Sequence, residues 1–257
     1  MTIHNSSRDF AHYTPIAESF SPTGVSARAE MAPCVALVGC DGSGKSTLAS
    51  DLAAVLNRQA PTRTMYLGLG TGDLGRRIGT LPLIGPLAER YLAGKASKAH
   101  AGPDKRLPGL VTALAMYAFS LARLRRFRKA LDYRRHGVQV ITDRYPQAQV
   151  AGSFDGPGLS WTRKGSALVE RLAAREHALY AGMSAWRPTV VIRLNVDVDT
   201  ALARKSDHER GMLEKKIAVV PTLDFAGAQI VDVDATRPYH EVLETVLAVL
   251  RRHGLSA

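Results

Sequence analysis

VALVGCDGSGKSTLASDLAAVL, residues 35–56, is the stretch whose reading decides the fold. Four apolar residues run into Gly39, the pattern of a short strand buried on both faces. From Lys45 leucines and alanines recur at helical spacing, so the order is strand, loop, helix. Between them Gly39-Cys40-Asp41-Gly42-Ser43-Gly44-Lys45-Ser46 matches G-x-x-x-x-G-K-[ST]. In that setting Gly39, Gly42 and Gly44 let the backbone approach a phosphate with no Cβ in the way. Successive N–H groups and the positive end of the helix face the anion. Lys45 offers charge to the outer phosphates, and the Ser46 hydroxyl suits Mg²⁺.

The rest of the chain bounds the reading. Its 257 residues suit one domain with an insertion, and no apolar run approaches the length of a membrane span. A formal charge of +11 favours an anionic partner: nucleotide, nucleic acid or a membrane surface. Cys34 and Cys40 match no zinc or redox spacing, which points to a reducing cytoplasm, and the scattered histidines give no support for a transition-metal site. Residues 1–32 have neither a secretory apolar core nor a helical period and read as a mobile extension to a domain at 33–257.

Further strands are expected at Thr64–Leu69, 138–143, 189–196 and 228–233. A Gly/Pro-rich stretch at about 68–108 reads as a loop-rich insertion. Residues 110–135 read as a long helix stopped by Gly137, with further helices at 166–181 and 238–253. Apolar strands alternating with helices imply a three-layer α/β fold with a five-stranded parallel sheet. Asp197 and Asp199 suit the start of a helix, where acids meet the dipole, better than a metal site.

Residues 138–145, VQVITDRY, put Asp143-Arg144-Tyr145 at the carboxyl end of an apolar strand, the edge where open parallel sheets bind ligands. Together with GCDGSGKST this resembles the thymidylate kinase family of P-loop nucleotide kinases, over roughly residues 34–252. The resemblance implies that Lys45, Ser46 and Thr47 hold the phosphates of ATP with Mg²⁺, and that Asp143 supports the metal and its water. It implies that Asp41 faces the acceptor and Arg144 clamps the acceptor's phosphate, with Tyr145 and Arg123 beside it. Arg204 and Arg210 fall where the family carries a lid, although a solvated helix face accounts for them equally well. A homodimer is also implied by the family.

The acceptor side departs from the family. An Arg-Glu-Pro-Gly-Gly stretch is replaced by LGLGTGDLGRR, and PQAQVAGSFDGPGL follows Asp-Arg-Tyr, leaving Gln147 and Gln149 out of place for reading thymine. The turn DGPG at 155–158 lies near enough to Asp-Arg-Tyr to join an acceptor pocket. Transfer of the ATP γ-phosphoryl to a nucleoside monophosphate, most simply dTMP, therefore stands beside transfer to a sugar, a lipid-linked saccharide or another metabolite, with Asp41 or Asp143 as base. A nucleotide-dependent switch is the remaining alternative. Arg123, Arg125, Arg126, Arg128, Lys129, Arg134 and Arg135 make segment 121–135 basic, which suits a solvated face with one or two inward arginines, or contact with anionic lipid or nucleic acid.

Overall fold

The three inner strands, Cys34–Gly39, Gln139–Asp143 and Val190–Asn195, are almost wholly buried because both their faces are covered, whereas the two edge strands, Thr62–Tyr66 and Ile230–Asp234, keep polar, partly exposed residues. The computed structural model describes residues 31–68, 106–152, 154–206 and 208–255. In chain order these contain β1 (Cys34–Gly39), α1 (Lys45–Leu56), β2 (Thr62–Tyr66), α2 (Leu110–Arg135), β3 (Gln139–Asp143), α3 (Ala167–Ser184) and β4 (Val190–Asn195). After them come α4 (Val198–Arg204), α5 (Arg210–Val219), a single 3-10 turn at Val220–Thr222, β5 (Ile230–Asp234) and α6 (Tyr239–Arg252).

The strands pair in the order β2-β3-β1-β4-β5, all parallel. Odd residues of β1, Val35 and Leu37, pack with Leu48 and Leu52 of α1 and Val246 and Leu250 of α6. Even residues, Ala36 and Val38, pack on the other face with Leu124 and Phe127 of α2 and Tyr180 of α3. This alternation makes the three-layer α/β/α architecture of P-loop proteins expected from the sequence. Among the described residues no helix is long and apolar enough to cross a membrane.

Two strand expectations need correction: β2 is Thr62–Tyr66, beginning two residues and ending three residues earlier, because Thr62 pairs with Gln139 and Tyr66 with Asp143, and β5 begins at Ile230, where it pairs with Val191. Cross-strand register, invisible in the local pattern, sets these ends. Helix α5 was not expected; Asp197, by contrast, caps α4 by accepting from the Thr200 N–H at 2.7 Å. Residues 1–30 of the expected extension and 69–105 of the expected insertion lie outside the described residues.

A candidate phosphoryl-transfer site

The site grows from the carboxyl edge of the central strands. β1 ends at Gly39, with φ +149°, where a Cβ would meet the Leu194 carbonyl oxygen at 2.6 Å. Gly42, at φ +85°, has the Ala201 carbonyl oxygen at 2.7 Å in the same way. Gly44 caps α1 at φ +88°, and nothing lies within 4 Å of the place a Cβ would take. The loop is thus pressed against the protein at two glycines and open at the third, over the helix N-terminus.

Lys45 is 6% exposed and folds back over this loop, its Nζ donating to the Cys40 carbonyl at 2.5 Å and to Ser43 Oγ at 3.3 Å. Burial, aided by the charge of Arg144 and opposed by the nearby carboxylates, brings its pKa down to about 8. Ser46 Oγ donates to Asp143 Oδ2 at 2.6 Å. Asp143 stands there because β3 pairs with β1 in a register that sets Leu37 opposite it. Its other oxygen, Oδ1, is buried and accepts no hydrogen bond among the described residues. A hydroxyl and a carboxylate with one free oxygen are hard donors of the kind Mg²⁺ takes. Thr47 is exposed on the same first turn of α1.

Arg144 follows β3 in the left-handed region, φ +70°, its N–H bonded to the Leu37 carbonyl at 3.1 Å. That conformation turns the side chain back across the edge, where Nη2 donates to Asp41 Oδ1 at 2.5 Å. Asp41 also binds Lys216 Nζ, and His208 Nε2 lies 3.6 Å away. Burial alone would raise the Asp41 carboxyl, but Arg144 and Lys216 outweigh it and hold the group well below the usual carboxylate range. Lys216, 8% exposed on α5, is a site residue that sequence reasoning missed.

On the far side of Arg144, Nη1 lies 3.6 Å from Asp155 Oδ2, and Arg123 Nη2 reaches Asp155 Oδ1 at 3.3 Å. Arg123 has no exposed surface; its guanidinium lies over Tyr180, 5.4 Å from the ring centre. Arg126 donates from Nη2 to the Gly68 carbonyl at 2.6 Å. Asp155 belongs to the DGPG turn, so its proximity to Asp-Arg-Tyr agrees with the sequence. Gln147 is committed elsewhere: its Nε2 donates to the carbonyls of Val150 and Phe154 at 2.7 and 2.9 Å. Its Oε1 accepts from the N–H groups of Gln149 and Val150 at 2.7 and 2.8 Å. Gln149 Oε1 accepts from the Asp224 N–H at 3.0 Å, so both amides serve the loop.

The remaining expected residues divide. Arg204 lies by the phosphate loop, donating to the Ala235 carbonyl at 2.9 Å, and with Gly44, Thr47, Arg237 and Tyr239 it lines a cleft beside the N-terminus of α1. Arg210 is 56% exposed and pairs with Asp199 at 2.6 Å instead of facing the loop. Tyr145 is packed edge-to-face on Phe127 and donates its hydroxyl to the Trp186 carbonyl, a core position. In the basic helix Arg123 and Arg134 are buried and Arg126 is partly so; Arg134 Nε donates to the Ala32 carbonyl at 2.8 Å. Arg125, Lys129 and Arg135 remain on the exposed face.

No family model matches the chain. YghS of Escherichia coli K12, an uncharacterized ATP-binding protein, is 44% identical over 84% of this chain and 91% of its own length. YghR of the same strain, also an uncharacterized ATP-binding protein, is 43% identical over 82% of this chain and 83% of its own. A probable thymidylate kinase of Pyrobaculum calidifontis is more distantly similar, 28% identical over 85% of this chain and 95% of its own length. With near-complete mutual coverage at this identity, the chain belongs to the family of YghS and YghR.

Proposed function

We propose that the chain is an ATP-dependent phosphotransferase that moves the γ-phosphoryl group to a small acceptor. One observation carries the reading: the Ser46–Asp143 pair, Lys45 and the Asp41–Arg144 pair converge on one sheet edge. Such transfer needs in-line positioning and positive charge around the migrating group more than covalent chemistry. Lys45, released from the Cys40 carbonyl, neutralises the outer phosphates, and the loop N–H groups hold the inner ones. Ser46 and Asp143 would hold Mg²⁺, which would supply charge neutralisation to the phosphates. Arg144 and Asp41 orient the acceptor. Its oxygen forms the new bond to phosphorus while the bond to the β–γ bridging oxygen breaks, the electron pair leaving with ADP. A phosphate acceptor brings an oxygen already ionised near neutral pH, whereas a hydroxyl also gives up a proton to a carboxylate of the cleft.

The likeness to thymidylate kinase makes dTMP the first acceptor to try. A non-nucleotide acceptor is favoured by a specific feature: both ends of the Gln147 amide and the Oε1 of Gln149 are engaged within the protein. The test is ADP formation from Mg-ATP with dTMP, other nucleoside monophosphates, simple sugars or no acceptor, and Lys45→Ala as control. Acceptor-stimulated turnover that vanishes in the control supports the proposal. Turnover indifferent to Lys45 removes it.

A further inference from the structure

On the phosphotransferase reading the acceptor enters beside Arg123 and Arg144, and a carboxylate already lies between them. Asp155 meets Arg123 at 3.3 Å through Oδ1 and Arg144 at 3.6 Å through Oδ2. Two guanidinium groups from different elements converging on one carboxylate is the arrangement by which proteins hold an incoming carboxylate or phosphate. Here the anion is part of the chain. Its charge is the largest influence holding Arg144 ionised, outweighing the burial that opposes it and exceeding the help of Asp41.

The loop fixes that carboxylate in place. Asp155 has φ +63°, the left-handed conformation that aspartate tolerates better than most residues, and its carbonyl accepts from the Gln147 N–H at 3.3 Å. Four hydrogen bonds of the Gln147 side chain hold the backbone at Gln149, Val150 and Phe154. The Gly152 N–H closes the same loop on the Pro157 carbonyl at 2.7 Å, and a Cβ on Gly156 would collide with the Val150 carbonyl oxygen. The other arm of Arg144 is taken by Asp41 at 2.5 Å. A phosphate approaching these arginines meets a fixed negative charge of its own sign, which is how a site rejects a wrong ligand.

We propose that Asp155 is a built-in occupant of the anion position between Arg123 and Arg144. The acceptor therefore presents an uncharged, hydroxyl-bearing group to this part of the cleft, not a phosphate or carboxylate.

The test is calorimetric titration of the full chain, saturated with the non-hydrolysable Mg-AMPPNP, with dTMP and with inorganic phosphate, for the wild type, Asp155→Asn and Asp155→Ala. The wild type is expected to show no saturable binding of either anion below about 1 mM. Removing the charge is expected to tighten binding of both by about tenfold or more. Saturation of the wild type by dTMP overturns the proposal, since Asp155 would then orient the arginines for a phosphate. So does a variant that keeps wild-type melting and gains no affinity. Binding of Mg-AMPPNP itself, read first, is the separate check on the phosphotransferase reading, and the phosphate titration repeated without nucleotide tests Asp155 even if that reading fails.

Discussion

Lys45 is a buried ammonium whose surroundings disfavour its charge. Among the described residues it has no direct carboxylate partner; it leans on a backbone carbonyl and a serine hydroxyl, with Arg144 near enough to disfavour its charge. Its pKa, pushed down to about 8, has a sign that works through to a measurement. The folded protein binds fewer protons here than the unfolded chain, so ligand-free stability rises with pH from about 8 towards the ordinary lysine value. A triphosphate beside Nζ raises the pKa again. Binding of Mg-AMPPNP at about pH 8.5 is therefore expected to take up a fraction of a proton, and binding at about pH 6.5 none at this group. Calorimetry in two buffers of different ionisation enthalpy reads the uptake. Its persistence in Lys45→Ala would assign it to another group and remove Lys45 from the phosphate.

Helix α5 brings to the loop the cation that residue spacing did not reveal. It docks through Leu213, buried in the core shared by α1 and α6, and this sets Lys216 against Asp41. When a nucleotide binds, this is the α5 ammonium already inside the cleft, and a γ-phosphate is an anion for which it can leave Asp41. Lys216→Met is expected to weaken Mg-AMPPNP binding about tenfold while Mg-ADP stays within about twofold, by equilibrium titration. Equal effects on both nucleotides would restrict Lys216 to holding Asp41. The contrast with the phosphate loop explains what could be read in the chain. Gly39 to Ser46 is contiguous, and its function lies in backbone geometry that glycine placement announces; Asp143 and Arg144 announce themselves as polar residues ending an apolar strand. Lys216 lies 175 residues from Asp41, and only the packing of α5 joins them. Arg204 and Arg210 look alike in sequence, yet the turn between α4 and α5 puts one by the loop and the other with Asp199. Tyr145 misleads for the same reason, since strand alternation alone does not tell a cleft from a core above β3.

Across the whole molecule, positive charge is gathered on one edge of the sheet. Among the described residues Arg123, Arg144 and Lys216 pair there with Asp41 and Asp155, while Lys45 and Arg126 donate to backbone carbonyls, in a chain of net charge +11. Burial weakens the charged form of Lys45 and Arg126, and in each case a neighbouring arginine adds to the effect. Lys45 and Arg126 therefore carry their charge at a cost that an added polyanion would offset, so on the proposed reading nucleotide binding and folding stability are linked. Mg-AMPPNP at one hundred times its dissociation constant adds about 2.7 kcal/mol. For a domain of this size that is a rise in melting temperature of roughly 5–10 °C. Added salt should shrink the rise, because screening both eases the repulsion beforehand and weakens the anion's attraction. Differential scanning fluorimetry over nucleotide and salt concentration makes the comparison, with Lys45→Ala as the variant that should melt no lower than the wild type when ligand-free, because it removes a buried charge its surroundings disfavour, and lose most of the rise. A rise that persists undiminished in that variant would place the nucleotide elsewhere on the molecule. A rise indifferent to salt would mean that apolar contact in the cleft beside α1, not relief of charge on this edge, dominates binding.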